Sequence, residues 1–332
     1  MLFRSLWAGV HFAGLEEGAK ALAEWGLGSQ ALLNQGQDLV AGQGVTAARA
    51  VTEDSPDWRA FAALSGGFSR YNTGSHIDLS GGSLLAGLAR GFEGELGRLT
   101  LGVFFEAGSG NFSTYNSFDS AASVEAEGNS FFYGGGILAR LDSPKIGPGH
   151  IYAEVSGRIG QVSSDFASDD LRDTLGRKAE YDDAVSMYYG AHAALGYLWQ
   201  LNEAFTLDVY GKYLWTRQEE KDLTLSTGDP IHLDAIDSHR VRGGMRLAYV
   251  ADERVKPYIG AALEHEFAGE ARATAYGRAI DSPSLVGSTV MGELGFSLVP
   301  VPGVPLSVDF GMQAYAGMRE GVTGSVLVKF EF

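Results

Sequence analysis

Residues 184–215 read AVSMYYGAHAALGYLWQLNEAFTLDVYGKYLW. In the first half, the odd positions Val185, Met187, Tyr189, Ala191, Ala193, Leu195, Tyr197 and Trp199 are apolar or amphipathic, whereas the even positions Ser186, Tyr188, Gly190, His192, Ala194 and Gly196 are small or polar. A period of two is the mark of a strand with two unlike faces. After a turn at 200–203 the pattern returns, with Phe205, Leu207, Val209, Tyr213 and Trp215 on one side and Thr206, Asp208, Tyr210 and Lys212 on the other. Ten residues separate Tyr189 from Trp199 and Phe205 from Trp215. At about 3.4 Å per residue and a tilt of about 40°, ten residues rise roughly 25 Å, the height between the two aromatic girdles of a membrane barrel. Tyr189, Tyr197, Trp199, Phe205 and Trp215 are therefore expected to form parts of those girdles.

Extending the same alternation outward predicts twelve strands, near 57–71, 77–90, 98–110, 128–142, 150–165, 184–199, 204–217, 238–250, 254–267, 285–299, 305–316 and 322–332. Short links at 91–97, 143–149, 200–203, 251–253 and 300–304 alternate with long ones at 111–127, 166–183, 218–237 and 268–284, as periplasmic turns alternate with external loops. The expected fold is all-β, a twelve-stranded antiparallel transmembrane barrel. Backbone groups in hydrocarbon must all be paired, so strands can cross a membrane only as a closed barrel. Composition agrees: Gly 46, Tyr 14 and Phe 18 stand beside Pro 9, and no apolar run is long enough for a membrane helix. A net charge of −16 argues against a nucleic-acid partner. The absence of Cys suits a chain that crosses an oxidising periplasm unfolded.

If one strand face meets lipid, the other lines the lumen, and charges should keep to that second face, because a charge facing lipid costs about 2–4 kcal/mol near the midplane. Glu106, Arg158, Asp208, Lys212, Arg240, Arg242, Arg246 and Glu264 are the expected lumen-lining residues. The acidic stretch SDFASDDLRDTLGRKAEYDD from Ser164 to Asp183 reads as a solvated loop and has no calcium-loop pattern. No metal, cofactor or catalytic residue is assigned. A Ser/His/Asp set could be assembled on paper from His192, His239 or His265, but no nucleophile motif supports it. An open porin- or adhesin-like barrel is the alternative function, with a barrel hydrolase behind it.

Residues 15–35, LEEGAKALAEWGLGSQALLNQ, could form a helix of about 30 Å at 1.5 Å per residue, too charged to cross lipid but able to occupy a polar lumen. Gly18, Gly26 and Gly28 weaken that helix. Residues 36–56 read as a small-residue linker into a barrel domain at 57–332. Residues 1–14 read as a remnant of a passenger or export region, since His11 interrupts their apolar run and no signal-cleavage pattern follows. At the other end Val326, Val328, Phe330 and Phe332 share one face of the final strand.

The stretch Ala63 to Arg90, ALSGGFSRYNTGSHIDLSGGSLLAGLAR, resembles the opening hairpin of autotransporter translocator domains, where a Tyr-x-x-Gly-Ser-His segment, here Tyr71 to His76, joins the first two strands. The order of lumen-length helix, linker, twelve strands and terminal Phe is similar to the same family, the type V secretion translocators, over residues 15–332. The resemblance implies insertion into the bacterial outer membrane with the help of the barrel-assembly machinery and periplasmic chaperones. It also implies an N-terminal passenger carried to the cell surface, a helix left in the lumen, and no catalysis. Under it, Val326, Val328, Phe330 and Phe332 are the C-terminal assembly signal. Residues 1–14 are too few to be the passenger, so either the passenger is expected upstream of this sequence or the reading frame is truncated.

Overall fold

The computed structural model describes residues 20–53, 57–117, 123–173, 175–250, 255–298 and 306–330. Twelve antiparallel strands close into a barrel: β1 (Arg59–Asn72), β2 (His76–Gly94), β3 (Gly97–Asn116), β4 (Val124–Asp142), β5 (Gly149–Arg172), β6 (Lys178–Gln200), β7 (Phe205–Gln218), β10 (Ile236–Tyr249), β11 (Val255–Glu266), β14 (Gly287–Leu298), β15 (Leu306–Gly317) and β16 (Arg319–Phe330). Each corresponds to one strand expected from the alternation. Strand β1 pairs with β16 from Phe61 opposite Lys329 to Tyr71 opposite Arg319, so the barrel has no free edge. Both ends of the barrel chain lie at one rim, the near rim. Ile137, Leu195, Ile259, Leu263 and Val290 point outward and are each more than half exposed. An apolar belt of this extent fits hydrocarbon, not water.

The far rim departs from the expectation of open loops. Two of the long connections fold into a second sheet, made of β8 (Lys221–Thr224), β9 (Pro230–Leu233), β12 (Ala273–Ala275) and β13 (Arg278–Ile280), in the order β13-β12-β9-β8. Leu225, Ile231, Leu233, Ala273 and Ile280 are buried in one apolar cluster with Leu22 and Trp25, so the small sheet is held by burial over the barrel mouth. The acidic stretch Ser164–Asp183 is also corrected, because most of it is wall: β5 runs to Arg172 and β6 begins at Lys178. Its acids hid an inward row, since Phe166, Leu171, Ala179 and Tyr181 are all buried. Asp182 and Asp183 face the single Asp165, a bulge at which Asp183 takes φ 54° and the inward parity of β6 shifts. A strict period of two breaks there, which is why alternation alone ended the strand early.

The lumen is filled by helix. Helix α1 (Lys20–Leu39) passes through a π turn (Val40–Gly44) into α2 (Val45–Val51). The segment read as a linker, 36–56, is therefore helical as far as Val51. Its glycines cost about 1 kcal/mol each in a free helix, but packing decides helix stability in a folded protein. Leu39, Val40, Val45, Ala48 and Val51 bury against Phe61, Leu85, Phe104, Leu138 and Leu327 of the wall. The glycines within α1 mark closest approach instead of weakness. A Cβ on Gly28 would lie 2.6 Å from Phe112 Cγ, and one on Gly36 would lie 2.7 Å from Phe132 Cζ.

Candidate functional site: the occupied lumen

Almost every residue of α1 is buried, on all of its faces. Its first half is held by apolar and aromatic contacts: the Trp25 ring meets Tyr181 edge-on at 4.9 Å, and Tyr181 stacks on Phe166 at 5.8 Å. Polar side chains in this half find fixed partners. Glu24 accepts hydrogen bonds from Thr73 Oγ1 at 2.9 Å and Asn116 Nδ2 at 2.6 Å, and Lys20 Nζ donates to Ser75 Oγ at 2.8 Å. Thr73 and Ser75 lie in the connection between β1 and β2, at the far rim. The described helical segment starts there, and its other end lies toward the near rim, where Arg49 pairs with Asp142 and Thr52 meets Thr100.

Midway down, helix and wall exchange polar contacts. Ser29 Oγ donates to Gln218 Oε1 at 2.9 Å, and Asn34 Nδ2 donates to Ser238 Oγ at 3.1 Å. Ser238 in turn donates to Glu266. Arg158 Nη2 donates to the Leu33 carbonyl at 2.6 Å while Nη1 pairs with Glu106 Oε2 at 3.1 Å, and Tyr188 OH donates to Glu106 Oε1 at 2.7 Å. All three wall groups are buried, where a missing partner would cost far more than at a surface.

The densest contact is at Asp38. Its Oδ1 accepts from Arg240 Nη1 at 2.9 Å and Arg242 Nη2 at 2.7 Å, and its Oδ2 accepts from Arg319 Nη1 at 3.2 Å. Strands β10 and β16 are not neighbours in the barrel, since β11, β14 and β15 lie between them. One carboxylate thus ties the helix to two separate parts of the wall. Below it Lys212 Nζ donates to the Ala41 carbonyl in the π turn at 2.6 Å, and Gln43 Nε2 donates to Ser325 Oγ at 3.2 Å.

The structure places Glu106, Arg158, Asp208, Lys212, Arg240, Arg242, Arg246 and Glu264 on the inward face. Arg158, Lys212, Arg240 and Arg242 touch the helix directly. Glu106 and Glu264 act through the arginines they pair with, Glu264 lying 2.5 Å from Arg242. Asp208 and Arg246 bond wall to wall, to Tyr152 OH at 2.9 Å and to Glu293 at 2.6 Å. Asp38 and Arg319 were missed in the sequence, Asp38 because it fell in the supposed linker and Arg319 because it falls between two expected strands. A signal existed for Asp38, the only acid between Glu24 and Glu53.

Three histidines could be placed in a hydrolytic set on paper, but the fold separates them. His239 bonds Tyr213 OH at 2.6 Å and His265 bonds Ser288 Oγ at 2.8 Å, both on the outer face. His192 alone is luminal, 2.5 Å from Ser156 Oγ, with Glu154 3.9 Å away and engaged by Arg140 at 2.5 Å.

On the outer face, Ala191 stands opposite Trp215 and Tyr189 opposite Arg217, so Tyr189 and Trp215 are close to one level. Trp199 stands opposite Leu207, two residues from Phe205, at the other level. There the Tyr197 and Trp199 rings meet at 6.5 Å, and Phe205 stacks on Tyr249 at 4.9 Å. Val326 and Val328 face outward on β16. Phe332 lies outside the described residues.

The Autotransporter beta-domain family matches residues 58–311. This chain belongs to that family. Among solved structures, the transport unit of the autotransporter AIDA-I from Escherichia coli aligns with a TM-score of 0.61 at 17% identity, over 89% of this chain and 99% of that one. The translocator domain of autotransporter NalP from Neisseria meningitidis gives 0.63 at 14% identity, over 92% and 99%. The beta domain of the Bordetella autotransporter BrkA gives 0.61 at 15%, over 83% and 99%. At such identities the likeness is one of fold. No curated protein sequence matches. Family and fold together make this chain an outer-membrane translocator barrel, the part of an autotransporter that carries a passenger to the cell surface. The far rim is then the external one and the near rim faces the periplasm.

Proposed function

We propose that Lys20–Val51 is the resident plug of this translocator, the last part of the passenger-bearing segment to enter the barrel and the part that stays. Asp38 between Arg240, Arg242 and Arg319 carries the reading, because a buried carboxylate matched to three guanidiniums from two walls fixes both depth and rotation of the helix. Chain direction supports it, since a segment that enters at the external rim and exits at the periplasmic rim is oriented for a passenger outside. On this reading the barrel's work is transport, and the luminal polar groups hold the helix instead of performing chemistry.

The same reading gives the outer face its roles. Tyr189, Tyr197, Trp199, Phe205 and Trp215 sit at the two headgroup levels, and Val326, Val328, Phe330 and Phe332 form the signal read by the barrel-assembly machinery after periplasmic chaperones deliver the chain. Because the chain has no Cys, one engineered pair reports on the plug: Ser29→Cys with Gln218→Cys should cross-link in isolated outer membranes and shift gel mobility. A correctly inserted double variant that never cross-links would contradict the plug.

A further inference from the structure

Arg242 and Arg319 are hydrogen-bonded to wall groups that do not depend on the helix, and Arg240, whose own hydrogen bonds go to Asp38 and the Asn34 carbonyl, lies beside a wall carboxylate. Arg242 Nε donates to Glu264 Oε2 at 2.8 Å, and Arg240 Nη1 lies 3.5 Å from the same carboxylate. Arg319 Nε donates to Ser69 Oγ at 3.0 Å, and its guanidinium lies 3.8 Å from the centre of the Tyr315 ring. Withdrawing Asp38 would leave these guanidiniums in place, still pointed at a common spot. We propose that Arg240, Arg242 and Arg319 form a preformed carboxylate receptor in the barrel wall, with Asp38 as its resident ligand. The receptor accepts another carboxylate when Asp38 is absent, and the natural alternatives are acidic side chains of the segment in transit. The proposal rests on the plug reading and deepens it, since it makes the plug a bound ligand rather than a packed core.

Charge and space favour a small monoanion. Three cations face Asp38, Glu264 and the nearby Glu266, so removing Asp38 leaves one positive charge in excess in a buried site where unpaired charge is costly. Arg240 Nε is buried with no hydrogen-bond partner among the described residues, leaving a further donor on the same guanidinium. A cavity of about 50 Å³ touches Asp38 and Arg319, and another of about 20 Å³ touches Arg240, Glu264 and Arg319. These spaces, joined to the volume of the missing side chain, give a carboxylate the size of acetate room to enter.

The test is chemical rescue of the full-length Asp38→Ala chain in detergent or liposomes, with sodium acetate compared against sodium chloride at equal ionic strength and against acetamide. Acetate at several times its dissociation constant is expected to raise the unfolding temperature of Asp38→Ala by about 2–4 °C, with no such rise for the unsubstituted chain. Acetamide, which has the shape without the charge, should not do so. Adding Arg319→Gln should weaken the acetate effect. If Asp38→Ala folds only poorly, recovery of folded barrel by acetate in the refolding buffer is the expected result. No recovery while Asp38→Glu refolds would overturn the proposal, as would equal responses to acetate and chloride. Conductance of the same variant separates the two readings: a closed Asp38→Ala barrel with no acetate response leaves the plug standing and removes the receptor.

Discussion

Glu106 and Arg158 show how one residue pair can hold the wall and the helix at once. Arg158 spends one nitrogen on Glu106 and the other on the Leu33 carbonyl, and Tyr188 closes the set from a third strand. Replacing Arg158 with Met should lower stability by about 3–5 kcal/mol, because Glu106 would remain buried without its counter-ion. Combining it with Glu106→Gln should cost less than the sum of the two single changes, with a coupling of about 0.5–3 kcal/mol read by urea unfolding of the refolded barrel. Additive losses would show that the pair does not act as a unit. Both residues were legible as luminal from strand parity alone. Their partners were not, since alternation says which face a side chain takes and nothing about which strand lies across the lumen. Asp38 was illegible for a related reason: its three arginines are more than two hundred residues away.

At the scale of elements, the small sheet over the mouth is where the sequence said least. Four short strands of three or four residues have too few positions to display a period, and tertiary burial against Leu22 and Trp25 decides their form. The sheet carries one imidazole. His232 on β9 stands opposite Asp222 on β8, with Nδ1 2.7 Å from Asp222 Oδ1 and Nε2 3.3 Å from Asp234 Oδ1. The hydrogen bond to Asp222 raises its pKa above the usual imidazole value, with the charges of Asp222 and Asp234 adding to it. A raised value means that the folded sheet binds the proton more tightly than the unfolded chain. The stabilisation is therefore complete below about pH 6.5, the ordinary imidazole value, and fades as pH climbs through the raised one. Amide exchange in β8 and β9, corrected for intrinsic rates, should show weaker protection at about pH 8.5 than at about pH 6. In His232→Gln that difference should vanish, and a difference that persisted would assign it to another group.

For the whole molecule, alternation, girdle spacing and the rhythm of short and long connections were enough to predict a closed twelve-stranded barrel, because each reports a repeating physical constraint. Lipid demands an apolar face, the lumen tolerates charge, and closure requires every strand to pair. The helix inside obeys no such repeat. A helix was legible within 15–35, of which residues 15–19 lie outside the described residues, but its continuation to Val51 was not, because Gly36, Gly42 and Gly44 argue for a linker until the wall around them is known. On the plug reading, wall and helix together make a barrel closed by its own chain. Conductance of the reconstituted protein measures that directly. The intact chain should conduct little, and deleting the plug residues 20–51 should raise single-channel conductance sharply in a barrel that still inserts. Equal conductance with and without the segment would show that the chain does not close its own barrel.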